Sequence, residues 1–489
     1  MTKHSRFAIA AFVVLATTLA LSAQSRRAPD WIRFRGPNGS GVSTATNLPT
    51  EFGPNKNLIW RVELPVGYSS PILFGDRIYV TGVRDKTLVT LALDRASGKT
   101  LWERSAPAEA RPPVDKRNNP ASPSVAVETN AIYVFFPDYG LVTYDAAGKE
   151  LWKLPLGPFN NIYGMGASPV IHGDLLLLAV DQSHGSHLLA LDKRTGKERW
   201  KTPRPEATSG HATPIIWRAP DGKDQILLPG SFLLTAYDPA NGKKLWWVRG
   251  LSWEIKSTPV IAGDIVYING YGSPEGDPGR KIVLPSADEA FATSDVDKNG
   301  TLSRTEFPRP ANPPANPPTT PPNGWFAVAD LDQSGEISKN EWEYIRAALE
   351  SENGMLAIRL GGNGDMTDKS IIWKYHRSVP QLPSPLLYNN VLYMVNDGGI
   401  VTSFNPATGD VIKQGRLTGA LGNYFASPVA ADGHIYFTSQ PGVVAVLAPG
   451  GDLTPIVVNP LNEDVYATPA VADGRIYVRT VQALWAFGR

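Results

Sequence analysis

The stretch Leu188-Leu-Ala-Leu-Asp192-Lys-Arg-Thr-Gly196-Lys-Glu-Arg-Trp200 contains the pattern from which the fold can be predicted. The apolar residues before Asp192 predict a strand. The segment from Asp192 to Gly196 predicts a tight hairpin turn, because an aspartate caps its own turn and glycine adopts a positive φ without steric cost. Trp200 lies on the strand that follows. The same turn recurs at residues 94–98 and 238–242, with an asparagine version at residues 405–409.

A second signal, a small residue followed by Ser or Thr and then Pro, sets the period of the repeat. It ends at Pro71, Pro123, Pro169, Pro214, Pro259, Pro385, Pro428 and Pro469. Neighbouring signals are 41 to 52 residues apart, except for a gap of 126 residues between Pro259 and Pro385. A period in the forties with strand-like segments is typical of four-stranded propeller blades. Eight signals therefore predict an all-β, eight-bladed β-propeller.

The last repeat supplies only three predicted strands, and the N-terminal part of the chain supplies the fourth. Residues 57–63, Asn-Leu-Ile-Trp-Arg-Val-Glu, have the pattern of a fourth strand and include the repeat tryptophan, Trp60. An N-terminal strand in the last blade closes the ring and hides its edges.

The predicted fourth strands carry a tryptophan at one fixed position. These residues are Trp102, Trp152, Trp200, Trp246 and Trp373. We interpret them as structural, because a large aromatic residue at one place in each blade buries apolar area against its neighbour. The repeats after Pro385 and Pro428 lack this tryptophan, which predicts a less regular contact there.

Composition excludes some functions. The chain has 489 residues, with 47 Lys and Arg against 46 Asp and Glu, and no basic stripe, so nucleic acid is not an expected partner. It contains no cysteine, so it forms no disulfide and offers no cysteine for lipid attachment. We therefore expect that it is not a lipoprotein.

Residues 1–23 are predicted to be a signal peptide. Lys3 and Arg6 precede an uncharged, mostly apolar run over residues 7–21, and small residues near Ala23 offer a cleavage site. The run is short for a membrane span, although an uncleaved anchor stays an alternative. After cleavage we expect no transmembrane span and a periplasmic or secreted protein.

Two segments inside the long gap have the pattern of EF-hand calcium loops. Both place oxygen-bearing side chains at loop positions 1, 3, 5 and 9, glycine at position 6 and glutamate at position 12. The predicted Ca²⁺ ligands are Asp295, Asp297, Asn299, Thr301, Ser303 and Glu306 in loop one, and Asp330, Asp332, Ser334, Glu336, Ser338 and Glu341 in loop two. Thr301 and Glu336 occupy position 7 of their loops and would contribute their backbone carbonyls.

These signals divide the chain. We predict an N-terminal extension over residues 24–56, a first propeller part over residues 57–273 and a second over residues 354–489. The calcium-binding insert covers residues 274–353 and includes a proline-rich spacer over residues 308–323. It interrupts blade five after its second strand, so we expect it to overhang the mouth of the central funnel.

The repeat resembles the pyrroloquinoline-quinone-like (PQQ-like) propeller repeat over residues 31–489, apart from the insert. It is most similar to exported bacterial propellers with an N-terminal stretch like Trp31-Ile-Arg-Phe-Arg-Gly-Pro37. The resemblance implies the fold more than an activity. Quinoprotein alcohol dehydrogenases hold the quinone and calcium in an eight-bladed funnel, whereas the outer-membrane assembly lipoprotein is a propeller that scaffolds protein contacts.

The sequence departs from both relatives. The dehydrogenases of this type place an adjacent-cysteine disulfide beside the quinone, and the assembly protein carries a lipidated cysteine, but this chain has no cysteine. No motif matches the dehydrogenases' calcium ligands or their catalytic aspartate. PQQ is therefore possible as a cofactor but not favoured.

Loops between blades should line the funnel. They contain Tyr68, Lys116, Arg117, Asn118, Asn119, Asn160, Asn161, Tyr163, His211, Trp253, Glu254, Lys256, Gln381, Asn423, Tyr424, Glu463, Asp464 and Tyr466. We select His211 and Lys256 as the candidate pair for an anionic ligand, with Asp181 and Gln182 as further candidates on the same face. Each of them can equally be an ordinary rim residue.

We interpret the chain as a non-catalytic binding or interaction scaffold, with a protein or a glycan as the ligand of the funnel face and two Ca²⁺ sites. Two enzymatic alternatives stay open. One is a PQQ-dependent oxidoreductase of alcohols or sugars, and the other is a carbohydrate-active enzyme that uses the funnel face.

Overall fold

The computed structural model describes residues 31–107, 115–161, 163–272, 276–279, 281–307, 326 and 329–489. The predicted signal peptide (1–23) and proline-rich spacer (308–323) lie outside the described residues, as do residues 24–30 of the predicted N-terminal extension. Within the described ranges, no helix has the length and apolar character needed to cross a membrane.

Eight sheets form the propeller, each with four antiparallel strands and one of them with a short fifth strand, which confirms the predicted fold and blade count. We number the blades by the order of their innermost strands. Blade one contains Ile72–Phe74, Arg77–Arg84, Thr87–Asp94 and Thr100–Pro107, and blade two contains Ala126–Glu128, Ala131–Phe136, Gly140–Tyr144 and Glu150–Pro155. Blade three contains Val170–His172, Leu175–Val180, His187–Asp192 and Glu198–Pro203. Blade four contains Ile215–Arg218, Asp224–Pro229, Leu233–Tyr237 and Lys244–Arg249.

Blades five to eight follow the same order from the axis outward. Blade five contains Val260–Ala262, Ile265–Gly270, Gly354–Arg359 and Ile371–Tyr375, and blade six contains Leu386–Tyr388, Val391–Asn396, Ile400–Phe404 and Val411–Arg416. Blade seven contains Val429–Ala431, His434–Thr438, Val443–Leu447 and Val457–Pro460. Blade eight contains Ala470–Ala472, Arg475–Arg479, Ala483–Gly488 and Leu58–Glu63. The last of these, Leu58–Glu63, pairs antiparallel with Ala483–Gly488, so the N-terminal strand closes blade eight as predicted.

The middle strands are buried on both faces because each blade packs between two others. Ala131–Phe136 and Gly140–Tyr144 are buried at every position. Such strands are almost continuously apolar, whereas the outer fourth strands alternate; Glu150–Pro155 has alternate residues exposed. The core therefore lies between blades, which explains why the apolar runs recur with the blade period.

Five of the six repeat tryptophans join their blade to the next one. The indole N–H of Trp102 donates to the carbonyl of Ala146 at 3.0 Å, and that of Trp152 donates to Lys193 at 3.0 Å. Both acceptors lie in the hairpin turn of the following blade. Trp60, Trp200 and Trp373 make the corresponding bonds to Arg95, Pro239 and Pro406.

The glycine of the hairpin turn lies against the ring of the same tryptophan. A Cβ at Gly196 would be 2.6 Å from Trp152 Cε3, and φ at Gly196 is +70°. The turn therefore needs glycine for two reasons, its left-handed backbone and the close approach of the indole. The Asp-x-x-Thr-Gly turn and the tryptophan form one inter-blade contact.

Gly196→Ala should destabilise the protein more than a glycine substitution that costs only backbone strain. We expect a loss of about 3 kcal/mol in the free energy of unfolding, because a left-handed alanine costs about 1 to 2 kcal/mol and overpacking about 1 to 3 kcal/mol. The matched control is Gly173→Ala, since Gly173 has φ +55° and no atom within 4 Å of the added Cβ. Denaturant unfolding of both variants measures the difference, and equal losses would contradict the role of the indole contact.

Blade four is completed in a different way. Its indole donor, Trp246, bonds to the side-chain oxygen of Gln225 at 2.8 Å within the same blade. A fifth strand, Gly364–Asp365, pairs in parallel with Trp246 and Trp247 and comes from the connection between the last two strands of blade five. This extra strand takes the place of the hairpin contact at the joint between blades four and five.

The segment between Ile265–Gly270 and Gly354–Arg359 includes the short helices α1 (Ala287–Ser294) and α2 (Lys339–Leu349), and Phe326 and Ala329 are also helical. Leu302–Ser303 and Glu336–Ile337 form a two-stranded sheet in which Leu302 pairs with Ile337, as expected for paired EF-hand loops. Phe291, Phe326 and Trp342 are buried between them. Helix α3 (Thr367–Ser370) and 3-10 turns at Pro37–Gly39 and Asp397–Gly399 are further helical segments.

The N-terminal segment crosses the propeller axis before it enters the ring. Backbone bonds join Trp31 to Leu73 of blade one and Ser43 to Ala430 of blade seven. Arg33 Nη2 donates to the carbonyl of Pro214, in blade four. The segment therefore contacts innermost strands from opposite sides of the ring.

Candidate functional site

A cavity of about 170 Å³ lies on the propeller axis, and all eight blades contribute to its lining. Seven of the residues predicted to lie in funnel loops line it. They are Tyr68, Arg117, Asn118, Tyr163, His211, Lys256 and Tyr466. Phe34 of the N-terminal segment also lines the cavity, so the segment that crosses the axis forms part of its wall.

A ring of hydroxyl groups surrounds the axis, and it is made by the Ser or Thr of the repeated Ser/Thr-Pro signal, except in blade two, where Ser124 follows Pro123. The backbone N–H of Ser70 donates to Ser124 Oγ at 2.9 Å, and that of Ser124 donates to Ser168 Oγ at 3.0 Å. Four further bonds of this type join Ser168 to Thr213, Thr258 to Ser384, Ser384 to Ser427 and Ser427 to Thr468. The signal that sets the period thus also links neighbouring blades at the axis, a role that the sequence analysis missed.

Three aromatic rings form one wall of the cavity. Tyr68 and Tyr466 stack with ring centroids 4.1 Å apart, and Phe425 stacks on Tyr466 at 5.1 Å. Burial, followed by the nearby Tyr466, raises the pKa of Tyr68 to about 12, so its hydroxyl is neutral at physiological pH. This wall offers an apolar surface with polar edges.

The cationic side chains in the lining are already paired with carboxylates. Arg117 makes a bidentate contact with Asp115, at 2.7 and 2.9 Å, and also donates to Gln381 Oε1. Lys256 Nζ lies 2.8 Å from Glu254 Oε2, and both side chains are less than a tenth exposed. Burial lowers the pKa of Lys256, and Glu254 acts against that change. Neither cation carries an uncompensated charge into the cavity.

His211 lies in the lining as a neutral imidazole. Its Nε2 is buried and has no hydrogen-bond partner among the described residues, and its ring packs edge-on against Tyr163. Burial, with a smaller contribution from Lys256, lowers the pKa of His211 to about 3. The structure therefore brings the predicted pair of His211 and Lys256 together in one lining. The histidine is neutral, and Glu254 compensates the charge of the lysine.

His211→Gln should make stability less sensitive to acid. In the unfolded chain a histidine has a pKa near 6.5, whereas the native value is about 3. Between these values the unfolded chain binds a proton that the native state does not, so stability falls as pH decreases from 6.5 towards 3. The urea midpoint of unfolding should decrease less between pH 7 and pH 4.5 in His211→Gln than in the wild type. An equal shift in both proteins would exclude His211 as a source of the pH dependence.

The structure places Asp181 and Gln182 outside the cavity lining. Arg204 Nε and Nη2 donate to the two carboxylate oxygens of Asp181, at 2.9 and 3.0 Å, and both side chains are 2% exposed. Gln182 Oε1 accepts the backbone N–H of Asn160 at 2.9 Å. Both side chains are thus occupied by the protein itself, which corrects their selection as ligand-binding candidates.

Loop one of the insert brings its acidic ligands together. Oxygens of Asp295, Asp297 and Glu306 lie within 4.8 Å of one another. Glu306 accepts hydrogen bonds from the side chain and backbone of Ser303, which lower its pKa to about 2, so the carboxylate is ionised. Gly300 has φ +86°, as position 6 of such a loop requires.

Loop two has the same arrangement, with Asp330, Asp332 and Glu341 within 4.8 Å of one another. Asp330 Oδ1 is buried and has no hydrogen-bond partner among the described residues. A buried carboxylate oxygen without a donor is costly unless a cation binds it. The donor set of both loops is all oxygen, which fits Ca²⁺.

The described part of the insert docks on blade four. Tyr344 of α2 packs edge-on against Phe232 with centroids 5.6 Å apart, and its hydroxyl is 3.4 Å from Thr208 Oγ1. Arg249 on the last strand of blade four contacts Glu343 and Glu350 at 3.5 and 3.4 Å. No described residue of the insert lines the cavity, and the overhang of the funnel mouth stays a prediction.

The cavity does not fit a quinone held beside a calcium ion. Asp115 is the one carboxylate in the described lining, and Arg117 occupies both of its oxygens. Among the described residues, groups of three acidic or histidine ligands occur in the two EF-hand loops and nowhere else. The lining thus offers no free carboxylate for a metal ion next to a cofactor.

Comparison with known families agrees with this architecture. The family model PQQ_2, described as outer membrane protein assembly factor BamB, matches residues 53–203, 90–274, 184–300 and 346–488. An EF-hand family model matches residues 323–343, which include loop two. No curated protein matches the chain by sequence.

Two solved structures show the same fold. BamB from Moraxella catarrhalis has 13% identity and a TM-score of 0.54, over 88% of this chain and 99% of that chain. A europium-containing methanol dehydrogenase has 11% identity and a TM-score of 0.57, over 94% of this chain and 98% of that chain. At these identities the likeness extends to the fold alone.

Proposed function

Because this chain belongs to the PQQ_2 family of propeller repeats, we propose that it is an exported, non-catalytic binding scaffold whose axial cavity recognises a sugar unit of a glycan. The insert binds two Ca²⁺ ions and stabilises the rim of the propeller. The family description names an assembly factor, a role of contact rather than chemistry, and that description supports a scaffold. Export follows from the predicted signal peptide at residues 1–23.

The pairing of every charged side chain in the lining carries the proposal. Arg117 is bound to Asp115 and Lys256 to Glu254, while His211 is neutral. A general acid or base needs a pKa near the working pH and a free position beside the substrate. Groups held in such pairs instead present fixed hydrogen-bonding edges, which suit recognition.

The chemistry of the walls favours a sugar. A pyranose ring has an apolar C–H face and a polar hydroxyl edge. The stack of Tyr68, Tyr466 and Phe425 matches the first, and the hydroxyl ring with Asn118 matches the second. A cavity of about 170 Å³ has room for one sugar unit, so the rest of a glycan would leave through the funnel mouth.

Titration calorimetry with a panel of neutral and acidic oligosaccharides tests the proposal. We expect one site per chain, weakened about tenfold by Tyr68→Ala, because an aromatic pair contributes about 0.5 to 1.5 kcal/mol beyond its area. Tyr388→Ala is the matched control. That half-buried tyrosine ends the innermost strand of blade six and lies outside the cavity lining.

A parallel titration with PQQ at saturating Ca²⁺ tests the alternative of a PQQ-dependent oxidoreductase. We expect no one-to-one complex. Specific PQQ binding together with oxidation of an alcohol or a sugar would replace the scaffold by an oxidoreductase. Turnover of an oligosaccharide without PQQ would indicate a carbohydrate-active enzyme instead.

A further inference from the structure

A chain of contacts runs from calcium loop two of the insert to the lining of the axial cavity. It begins at a cluster of buried side chains in which Tyr344 and Ala347 of α2 pack on Phe232 and Leu233 of blade four. Leu331, at position 2 of loop two, packs against the same cluster. The predicted calcium loop is therefore itself in contact with the propeller.

Glu341 connects both ends of loop two to this cluster. Its Oε1 accepts the backbone N–H of Leu331 at 2.7 Å, and its Oε2 accepts the backbone N–H of Ser338 at 2.8 Å. The same residue lies in the first turn of α2, three positions before Tyr344. Position 12 of an EF-hand loop is also the bidentate ligand of the ion. A change in the position of this carboxylate would move the loop and the start of α2 together.

The cluster is joined through the backbone to the connecting segment, which we define as residues 251–256 between blades four and five. The N–H of Phe232 donates to the carbonyl of Ser252 at 3.1 Å. The carbonyl of Phe232 accepts the N–H of Leu251, also at 3.1 Å. The residue on which α2 packs is thus bound to the connecting segment by two hydrogen bonds.

A second route passes through side chains. The hydroxyl of Tyr344 is 3.4 Å from Thr208 Oγ1, which also accepts the indole N–H of Trp253 at 3.2 Å. The next residue, Ser209, donates from its Oγ to Glu254 Oε1 at 3.2 Å. Glu254 is 1% exposed, so its carboxylate is held by protein groups and not by solvent. Both routes from α2 therefore end in the connecting segment.

The connecting segment positions two residues of the cavity lining. Glu254 binds Lys256 Nζ at 2.8 Å, and the carbonyl of Ile255 accepts the backbone N–H of His211 at 3.0 Å. Lys256 and His211 both line the cavity. Lys256 Nζ also lies 5.6 Å from the ring centroid of Tyr163, a third lining residue. A displacement of the segment would therefore change the cavity wall.

Phe232 has a backbone conformation that depends on its surroundings. Its φ is +66°, a left-handed value that is unfavourable for a bulky side chain. Residues of this kind persist where neighbouring groups hold them, and they concentrate at ligand clamps and switch regions. The ring of Phe232 packs edge-on against that of Tyr344, with centroids 5.6 Å apart. Without α2 in place, the backbone here could relax away from the connecting segment.

We propose that calcium in loop two and a ligand in the axial cavity bind with positive cooperativity, because α2 holds Phe232 and the connecting segment in the position that completes the cavity wall. When loop two is empty, α2 loosens and the wall around Lys256 and His211 relaxes. The inference rests on the proposed function for both ligands, and it adds that each strengthens the binding of the other. Thermodynamic linkage makes the effect equal in both directions.

Hydrogen exchange of the wild-type chain in excess calcium and in chelator tests the connection without a cavity ligand. We expect residues 208–211, 230–233 and 251–256 to exchange more slowly in calcium, by up to about 100-fold when free calcium exceeds Kd by about 100-fold. Residues 417–424, the corresponding connection between blades six and seven, open locally and should not change. Slowing confined to the insert, or equal slowing in residues 417–424, would overturn the inference.

Tyr344→Ala should uncouple the connecting segment from calcium. The substitution leaves every predicted ligand of loop two in place, so calorimetry should still give two calcium sites per chain. The calcium effect on exchange in residues 251–256 should be lost, whereas Tyr388→Ala, on blade six, should retain it. An unchanged effect in Tyr344→Ala would contradict the proposed route. If that variant does not fold, Ser209→Ala removes the contact with Glu254 and should reduce the effect in the same residues.

Oligosaccharide calorimetry in calcium and in chelator separates this inference from the proposed function. For a sugar of the panel that binds, we expect Kd to be about tenfold higher in chelator, within the range of about 5- to 150-fold that is typical of allosteric coupling. Equal Kd values would retain the proposed function and overturn the cooperativity. Calcium-dependent exchange in residues 251–256 combined with no sugar binding would remove the proposed function and support calcium control of the cavity wall.

Discussion

The double variant Glu306→Gln, Glu341→Gln should lose calcium binding and most of the calcium-dependent stability of the protein. Each glutamate is position 12 of its loop, the residue that supplies two oxygens to the ion, and a neutral amide cannot replace that charge. In the wild type each occupied site adds about 2.7 kcal/mol when free calcium exceeds Kd by about 100-fold. We expect the difference in Tm between calcium and chelator to vanish in the double variant.

The two single variants should differ because, among the described residues, the buried contact between the insert and the propeller comes from the helix that follows loop two. Glu341 lies in the first turn of α2, the helix whose Tyr344 and Ala347 pack on Phe232 and Leu233 of blade four. Glu341→Gln should therefore lower the Tm of the whole propeller in calcium, whereas Glu306→Gln should mainly loosen the insert. Calcium calorimetry supplies the stoichiometry, and Glu150→Gln, an exposed glutamate on the outer strand of blade two, is the control. Two full sites in the double variant would contradict the EF-hand interpretation.

The features that could be predicted from the sequence are those that repeat or are local. The turn at residues 192–196 needs only its own aspartate and glycine, so its chemistry is visible in one stretch. The closure by Leu58–Glu63 follows from counting strands, and the position-8 pair of Leu302 and Ile337 follows from two similar loops. In each case the physical requirement involves neighbouring residues or a period.

The cavity was predictable only in outline. The loops between blades were correctly expected to meet at the funnel, because that follows from the period. The partner of each side chain could not be predicted in the same way. Asp115 pairs with Arg117, but Asp181 pairs with Arg204, which lies 23 residues away, after the last strand of the same blade. The hydroxyl ring was missed because each bond joins residues one blade apart, from 41 positions for Ser427 and Thr468 to 126 for Thr258 and Ser384, and nothing in a single repeat indicates it.

Asp181→Asn should be the most destabilising single substitution near the cavity. Arg204 is fully buried and bound by Asp181 through two bonds and by the hydroxyl of Tyr237 at 2.6 Å. Burial acts to lower the pKa of Arg204, but Asp181 and Tyr237 raise it above the ordinary value, so the guanidinium stays charged. Removing the carboxylate charge leaves that cation unpaired in the interior, which costs about 3 to 5 kcal/mol.

A double-mutant cycle separates the cost of the unpaired charge from the value of the pair. Asp181→Leu with Arg204→Met should be more stable than either single variant, because an apolar pair of similar volume avoids the stranded charge. Asp224→Asn is the surface control. Its partner Arg218 is 69% exposed, and such pairs contribute less than about 1 kcal/mol. Denaturant unfolding measures the wild type and all five variants, and a loss in Asp181→Asn no larger than in Asp224→Asn would contradict the argument.

The same substitution should also disturb the cavity, although Asp181 does not line it. A Cβ at Gly210 would lie 2.2 Å from Asp181 Oδ2, so the carboxylate packs directly against the residue before His211. Rotation of an asparagine away from Arg204 would push on that segment and move the imidazole. We therefore expect Asp181→Asn to weaken ligand binding in the cavity as well as stability, while Asp224→Asn changes neither. Asp181 acts on the site by holding the backbone behind it, which is a role that a ligand-contact test would not detect.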